Sequence, residues 1–562
     1  MGLLGKTASA GQAMGGVSSR RAVLKAMAAG GMLAFGGGAL ASCSRGGGGS
    51  GAGEAVDVTL TTFDGWPFGR MPTAAEQKAN PSTKAYAQVL KQWLDKNPGV
   101  TIKNSALNVW DQETLTTAIT GGTAPSAYPG DVIGGWNRAN VRSAMLQGLT
   151  ADVTEYLEVN NVADKLESYV SPIWEKWGID GKFYAAPWLY NVGTGIHYRR
   201  DLINELGLKE PTPDWTWDDV RVLAKGLTKG KRKGFMMQGQ ALNGSLNADG
   251  MDFHAKVPAP DTGWNWRWDY SAQADLWVPL IERLRAIIFE DQSALADISM
   301  PDGDVQAAFA RGDACMHSNS VVFYTATPGG DNPTPSDLAD KLGKPIEDVA
   351  GWMTQPVGLD GRATGTQGQV DLVGFSPDLE DDALDKAISL LLHVQGPGWI
   401  AQRKAVYEST KDARRVYDWQ NFMPTYKGLL DEVPSSPDEA WGTKFMDEVR
   451  RAAQIPIAPN EAFYFPPEPN AAPTETARED MTSRWTSERG TLDIRADLKK
   501  LDTTRNQQAQ SFTSGVADEE FIKAASGYFE AHASYWQENA PDYYENVFKD
   551  WYEGTVLPAL KG

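Results

Sequence analysis

The sequence predicts an α/β fold, in which β-strands alternate with α-helices along the chain. Residues 56–62 form a strand-like run, and residues 82–97 follow with apolar side chains at helical spacing. Residues 100–102 then begin a second strand. This alternation implies a parallel sheet with helices on its faces.

The other predicted elements follow in chain order. Residues 112–120 predict a short helix, residues 131–133 a short buried strand, and the helix after that strand ends near Gly148. A capping-box pattern opens a helix over residues 216–227. The last predicted elements are a strand with a Trp face (264–269), two amphipathic helices (275–288 and 384–394), a loop rich in Pro and Ala (466–480) and a helical, aromatic-rich tail (521–560).

A repeated pairing of Trp with a polar residue follows three of the predicted strands. Ligands of parallel sheets bind beyond the carboxyl ends of the strands, so we expect these residues to contact a ligand. They are Asp64 and Trp66 after the first strand, Trp110 and Asp111 after the second, and Trp136 and Asn137 after the third. Indole rings stack on the C–H faces of sugars, and the chain has 20 Trp. The pattern favours a carbohydrate site, with core packing as the alternative for each ring.

The first 43 residues predict export and lipid anchoring. Arg20 and Arg21 precede an uncharged run rich in Gly and Ala, and small residues stand just before Cys43. These features resemble a twin-arginine export signal and a bacterial lipoprotein cleavage site. We expect residues 1–42 to be removed and Cys43 to carry lipid at the start of a flexible Gly-rich tether, 43–54. The protein would then lie on the outer face of the cytoplasmic membrane, at the cell surface or in the periplasm.

The charge and the cysteine and histidine content argue against several kinds of binding partner. Without residues 1–42 the chain has 49 basic and 72 acidic residues, a net charge of −23. Such a surface repels nucleic acid, so no nucleic-acid partner is expected. With Cys43 lipidated, Cys315 has no disulfide partner and is expected to be a small buried hydrophobe. The five His are scattered, so neither a metal nor a cofactor is expected.

An ordered series of short motifs runs through most of residues 55–510. It comprises Asp-Gly-Lys-Phe-Tyr-Ala-Ala-Pro at 180–187, Gly-Ile-His-Tyr-Arg-Arg-Asp-Leu at 195–202, Thr-Trp-Asp-Asp at 216–219, and further matches at 308–316, 355–356, 365–368, 387–392 and 460–464. The series resembles the sugar- and oligosaccharide-binding group of the extracellular solute-binding proteins of bacterial ABC importers. Arg199 and Arg200 depart from it, where the family often has Asn-Lys. These positions start a helix and are not ligand contacts in the family.

The resemblance implies a two-lobe, periplasmic-binding-protein-like fold with a hinge and a ligand cleft between the lobes. It places lobe 1 at residues 55–188 with 376–435, and lobe 2 at 189–375 with 436–562. It implies a monomer that captures a carbohydrate, in particular an oligosaccharide, and delivers it to the transmembrane subunits of an ABC permease. No catalytic residue is expected. Further expected ligand contacts are Trp188, Tyr190 and Asn191 near the hinge, and Asn319, Gln367, Gln369, Phe463 and Tyr464 in the second lobe.

Two other functions stay open at this stage. The first is binding of a non-sugar solute, a peptide or a polyamine, because net acidity favours a cation. The second is a secreted carbohydrate-active hydrolase, which needs two carboxylates roughly 5 to 10 Å apart across a cleft.

The loop at 64–82 and the tail after about residue 510 are larger than the common family pattern.

Overall fold

A computed structural model describes most of the chain after residue 56. The described residues are 57–63, 70–135, 138–179, 181–237, 251–260, 262–296, 300, 302–326, 333–357, 369–417, 423–455, 472–510 and 517–561. Within these ranges strands and helices alternate, which confirms the predicted α/β class.

The strands are β1 (Val58–Thr62), β2 (Val100–Asn104), β3 (Ala127–Pro129), β4 (Ala186–Asn191), β5 (Thr194–Tyr198), β6 (Phe235–Met237), β7 (Lys256–Ala259), β8 (Asn265–Trp268), β9 (Ala294–Ala296), β10 (Met316–Ser320), β11 (Gly351–Thr354) and β12 (Gln369–Phe375). The α-helices up to β11 span Ala74–Ala79, Pro81–Lys96, Gln112–Thr120, Arg138–Leu146, Thr154–Val159, Val162–Lys165, Ser171–Glu175, Arg200–Glu205, Trp217–Leu227, Met251–Ala255, Ala274–Arg285, Asp302–Arg311, Pro335–Leu342 and Ile346–Val349. Those after β12 span Asp381–Gln395, Pro397–Thr410, Ala413–Val416, Pro437–Trp441, Thr443–Gln454, Ala472–Ser487, Ile494–Ala509, Asp518–Asn539, Pro541–Tyr543, Lys549–Trp551 and Leu557–Lys561. The predicted helices at 82–97, 112–120, 216–227, 275–288 and 384–394 and the helical tail are therefore confirmed.

The first lobe, as we name it here, is built around β1, β2, β3, β4 and β12. β1 and β2 pair in parallel, whereas β12 runs antiparallel to both β3 and β4. The Ser126 N–H donates to the Thr61 carbonyl at 2.8 Å, so β3 starts beside β1. The predicted parallel pairing is confirmed for β1 and β2 but is wrong for β3, β4 and β12, because β12 returns from the other lobe in the opposite direction.

The second lobe is built around a mixed five-stranded sheet in the order β11-β5-β10-β6-β9. β5 runs antiparallel to β10 and β11, while β6 runs parallel to β10 and β9. The helix Trp217–Leu227 begins with the predicted capping box, in which Thr216 and Asp219 exchange side chain-to-backbone hydrogen bonds. The N-cap satisfies amide groups that the helix itself leaves without partners.

Two local predictions are wrong. Residues 131–133 belong to a 3-10 turn, Gly130–Gly134, and the strand lies earlier, at Ala127–Pro129. The Asp131 carboxylate turns inward and accepts from the Leu372 N–H of β12 at 2.7 Å, which a strand continuing in the sheet would not allow. The predicted loop at 466–480 is helical from Ala472 onwards, and Pro473 lies in the first turn, where its missing N–H breaks no helical bond.

The C-terminal tail packs on a hairpin from the middle of the chain. β7 and β8 pair antiparallel, and β8 confirms the predicted strand with a Trp face. Trp264 and Trp266 share a buried cluster with aromatic residues of the tail. The His254 ring lies 4.8 Å from the Trp551 ring, centre to centre. The Arg505 guanidinium carbon lies 3.6 Å from the centre of the Trp268 ring and links the hairpin to the helix Ile494–Ala509. The tail thus completes the core of the hairpin.

Cys315, which directly precedes β10, is buried as predicted, and burial raises the pKa of its thiol to about 11. A thiol with that pKa stays protonated near neutral pH and is a poor nucleophile. Among the described residues, no helix is both long and apolar enough to cross a membrane.

Candidate functional site

The two lobes are joined where β4 leads into β5. β4 belongs to the sheet of the first lobe and β5 to that of the second, and only Val192 and Gly193 separate them. Gly193 has φ of 106°, in the left-handed region that glycine adopts without strain. The return strand β12 lies beside this crossover, because Gln369 pairs with Asn191 in the antiparallel register. The hinge region therefore consists of the β4–β5 crossover and the adjacent strand β12.

Polar side chains meet at this hinge. The Asn191 Nδ2 donates to Ser320 Oγ at 3.2 Å, and the Asn191 Oδ1 accepts from the Gly193 N–H at 2.9 Å. The Asn319 Oδ1 accepts from the Ser320 N–H at 2.7 Å, and Gln369 Nε2 donates to Asp371 Oδ1 at 2.6 Å. The structure thus brings together Asn191, Asn319 and Gln369, which the sequence analysis names separately.

Three further polar residues at the hinge end of the second sheet were not predicted. They are Ser318, Ser320 and Gln355, and Gln355 Nε2 donates to Ser318 Oγ at 2.8 Å. The Oε1 atom of Gln355 is buried and has no hydrogen-bond partner among the described residues. The signal in the sequence is β10 itself, since a buried strand that reads Met-His-Ser-Asn-Ser is unusually polar.

The segments that follow the strands of the first lobe also come together. The Trp110 and Phe63 rings lie 6.1 Å apart, centre to centre, in an edge-to-face arrangement with an interplanar angle of 84°. The Gln112 Nε2 donates to the Ile133 carbonyl at 3.3 Å, which connects the segment after β2 to the turn after β3. Trp110 is 43% exposed, which is unusual for so large an apolar ring. This corner of the first lobe therefore offers an accessible aromatic surface.

Other predicted contacts have structural roles in this arrangement. Asp111 caps the helix Gln112–Thr120 by accepting from the Thr114 N–H at 2.9 Å, and hydrogen bonds from Thr114 lower the pKa of its carboxyl. Trp188 and Tyr190 are each only 3% exposed. The Tyr190 ring lies 4.7 Å from that of Tyr169, and burial raises the pKa of its hydroxyl. Ligand contact by these three residues stays a prediction.

The remaining predicted positions lie outside the described residues. They are Cys43, Asp64, Trp66, Trp136, Asn137, Gln367, Phe463 and Tyr464. Within the described ranges, no group of three or more His, Cys, Asp or Glu side chains is placed to hold a metal ion.

Two buried histidines lie next to the hinge. The His197 and His317 rings stack at 5.0 Å between centres, on the paired strands β5 and β10. The His197 Nε2 lies 2.9 Å from the Ser320 carbonyl oxygen. Burial lowers the pKa of His197 to about 3 and that of His317 well below its ordinary value. Both rings are therefore neutral near pH 7; both contribute packing, and His197 also contributes a hydrogen bond.

Comparison with known proteins assigns this architecture to a family. A family model described as bacterial extracellular solute-binding protein matches residues 79–359, half of the chain. An uncharacterized ABC transporter extracellular-binding protein of Pyrococcus horikoshii is 28% identical over 145 residues, which are 26% of this chain and 31% of that protein. The matched stretch thus spans about a third of that relative's length.

Solved structures share the fold at low sequence identity. An ABC substrate-binding protein of Listeria monocytogenes in complex with cycloalternan is 16% identical, has a TM-score of 0.54, and is matched over 81% of this chain and 99% of its own. The maltose/maltodextrin-binding domain of Bdellovibrio bacteriovorus bound to maltotriose is 13% identical, with a TM-score of 0.51 over 80% of this chain and 99% of its own. This chain belongs to the bacterial extracellular solute-binding protein family and has its two-lobe, hinge-linked fold.

Proposed function

We propose that the protein binds a carbohydrate, an oligosaccharide, in the cleft between its lobes and delivers it to the permease of an ABC importer. The observation that carries this proposal is the exposed Trp110 ring at the strand-end corner of the first lobe. The edge-to-face contact with Phe63 fixes the indole while leaving much of it accessible to solvent. Sugar C–H groups pack on such a ring, and the two solved proteins described above hold oligosaccharides.

The proposed contacts combine stacking rings with hydroxyl-binding polar groups. Gln369 and Asn319 supply amides at the hinge, and Gln369 is half-buried. Amides and carboxylates suit sugar hydroxyls because each hydroxyl both donates and accepts. The proposed contacts outside the described residues are Asp64, Trp66, Trp136, Asn137, Gln367, Phe463 and Tyr464.

The proposal includes export and anchoring. Residues 1–42 would act as the export signal, and lipid on Cys43 with the Gly-rich tether would hold a monomer on the outer face of the cytoplasmic membrane. We retain lobe boundaries of 55–188 with 376–435 and 189–375 with 436–562, with one adjustment. The pairing of β12 with β3 and β4 favours assigning residues 369–375 and the end of β4 to lobe 1.

A thermal-shift screen tests the proposed ligand class. The full chain carrying Cys43→Ser is heated with mono- and oligosaccharides, short peptides and polyamines in parallel. A ligand that binds only the native state stabilises it by roughly 2.7 kcal/mol at a hundredfold excess over its Kd, so one sugar class is expected to raise the Tm. A shift with peptides or polyamines alone would contradict the proposal. Cleavage of the bound sugar during long incubation would identify a hydrolase instead.

The Trp110→Ala variant is expected to bind the identified sugar about tenfold more weakly. An aromatic contact contributes roughly 0.5–1.5 kcal/mol beyond its buried area, and about 1.4 kcal/mol corresponds to tenfold in Kd. Isothermal titration calorimetry measures the Kd, and Trp110→Phe is expected to retain part of the affinity. Val159→Ala is the matched control, because Val159 is 75% exposed and lies on the helix Thr154–Val159. Equal Kd values for Trp110→Ala and the control would remove Trp110 from the site.

A further inference from the structure

The side chain of Asn191 is engaged on both sides of the hinge. It is the last residue of β4, and its Oδ1 accepts from the Gly193 N–H within the crossover at 2.9 Å. Its Nδ2 donates at 3.2 Å to the Oγ of Ser320, on β10 of the other lobe. The amide therefore bonds to the crossover and to the second lobe at once.

The acceptor Ser320 is itself held firmly in the second lobe. It pairs with Thr194 between β10 and β5, and its carbonyl oxygen lies 2.9 Å from His197 Nε2. The next residue, Val321, donates its N–H to the Gly193 carbonyl at 3.0 Å. A side-chain bond and a main-chain bond therefore hold the crossover against the end of β10.

We propose that Asn191 is a positioning residue that fixes the angle between the lobes through its bond to Ser320. This inference rests on the proposed function only in that a ligand binds between the lobes. A small change in backbone angle at the crossover produces a large displacement of the lobes at the rim of the cleft, because the rim is far from the hinge. A hydrogen bond does not persist much beyond about 3.5 Å between its heavy atoms, so this bond is compatible with a narrow range of angles. It is expected to raise the fraction of molecules ready to bind, and apparent affinity scales with that fraction.

Distances between spin labels on the two lobes test the proposal without any ligand. Val159→Cys and Val222→Cys provide the label sites, since these valines are 75% and 72% exposed and lie on the helices Thr154–Val159 and Trp217–Leu227. The full chain carries Cys43→Ser, and the buried Cys315 is not labelled. Asn191→Ala and Ser320→Ala are each expected to broaden the distance distribution. Ser320→Thr, which keeps a hydroxyl, is expected to restore it. Unchanged distributions in both alanine variants would overturn the proposal.

Binding of maltotriose adds a second readout. Both alanine variants are expected to raise its Kd two- to tenfold, which corresponds to the loss of one ordinary hydrogen bond. The effects of the two substitutions are expected to be less than additive in the double variant, because both remove the Asn191–Ser320 bond, although Asn191→Ala also removes the bond from the Gly193 N–H and Ser320→Ala the one from the Val322 N–H. If only Asn191→Ala weakens binding and the distances stay unchanged, Asn191 is a ligand contact and the proposal is wrong. If maltotriose does not bind, the sugar assignment is weakened, while the ligand-free distances still decide the role of Asn191.

Discussion

Replacing Arg200 by alanine is expected to lower the free energy of unfolding of the second lobe by about 3 kcal/mol. Its guanidinium is buried and donates to the carbonyls of Glu347 and Ala350, at 2.9 Å to the latter. It also donates to the Tyr198 hydroxyl at 3.0 Å and to Glu210 Oε1 at 2.5 Å. Loss of the side chain leaves several buried polar groups without their donor.

Urea unfolding followed by Trp fluorescence measures the effect. The Glu210 side chain is 32% exposed, so water can take over its part of the network, and most of the cost comes from the two carbonyls. Arg200→Lys keeps a charge but not the fork of donors, so an intermediate loss is expected. Arg311→Ala is the control: that side chain is 61% exposed in its pair with Asp313, and such pairs contribute about 0–1 kcal/mol. A shift for Arg200→Ala no larger than the control would refute the role of the network.

Stability is expected to fall as the pH drops from about 6.5 to 5, because of His197 and His317. Their pKa values are lowered in the folded protein, to about 3 for His197, whereas the unfolded chain protonates near 6.5. In this window the unfolded state binds more protons, so acid favours unfolding. At pH 5 His197 is expected to cost about 2 kcal/mol, from 1.5 pH units at 1.36 kcal/mol each, and His317 is expected to add to this loss in the same direction.

The Tm as a function of pH measures this dependence. His317→Phe is expected to flatten the slope between pH 6.5 and 5, because the ring already packs against Phe309 and Phe323, at 5.1 and 4.8 Å between centres. The charged form of His317 would face His197 and these two apolar rings. His393 is the control, since it is only half-buried and His393→Gln should change the slope less. The same slope in wild type and His317→Phe would show that other groups control the acid response.

Local signals in the sequence predict the helices well and the sheet topology poorly. The helix Trp217–Leu227 carries its capping box and its apolar spacing within a dozen residues, so the sequence predicts both ends. The error at residues 131–133 arises because the partner of Asp131 is the Leu372 amide, 241 positions away. The antiparallel direction of β12 depends in the same way on where the chain returns from the second lobe. Contacts of this kind leave no periodic pattern in the sequence.

The same distinction between local sequence signals and long-range contacts applies to the candidate site. The strand-end rule identifies Trp110, and the structure shows its ring accessible beside Phe63. The sequence also names Trp188 and Tyr190, but composition does not reveal that their rings lie in the core. The partner of Asn191 is 129 positions away, so Ser320 could be found only from the fold. The aromatic content supports the proposed class of ligand, and tertiary contacts decide which side chains are accessible to it.

The union of the tail with the β7–β8 hairpin has a consequence for folding order. His254 bonds to Tyr543 across 289 positions, so the hairpin finds its packing partners only after nearly the whole chain has been synthesised. Closing so long a loop is entropically costly, and contacts of high sequence separation slow folding. Before the tail packs on the hairpin, it cannot bury the indoles of Trp264 and Trp266. A nascent or truncated chain that ends before residue 517 is therefore expected to expose an aromatic, aggregation-prone surface to chaperones and proteases.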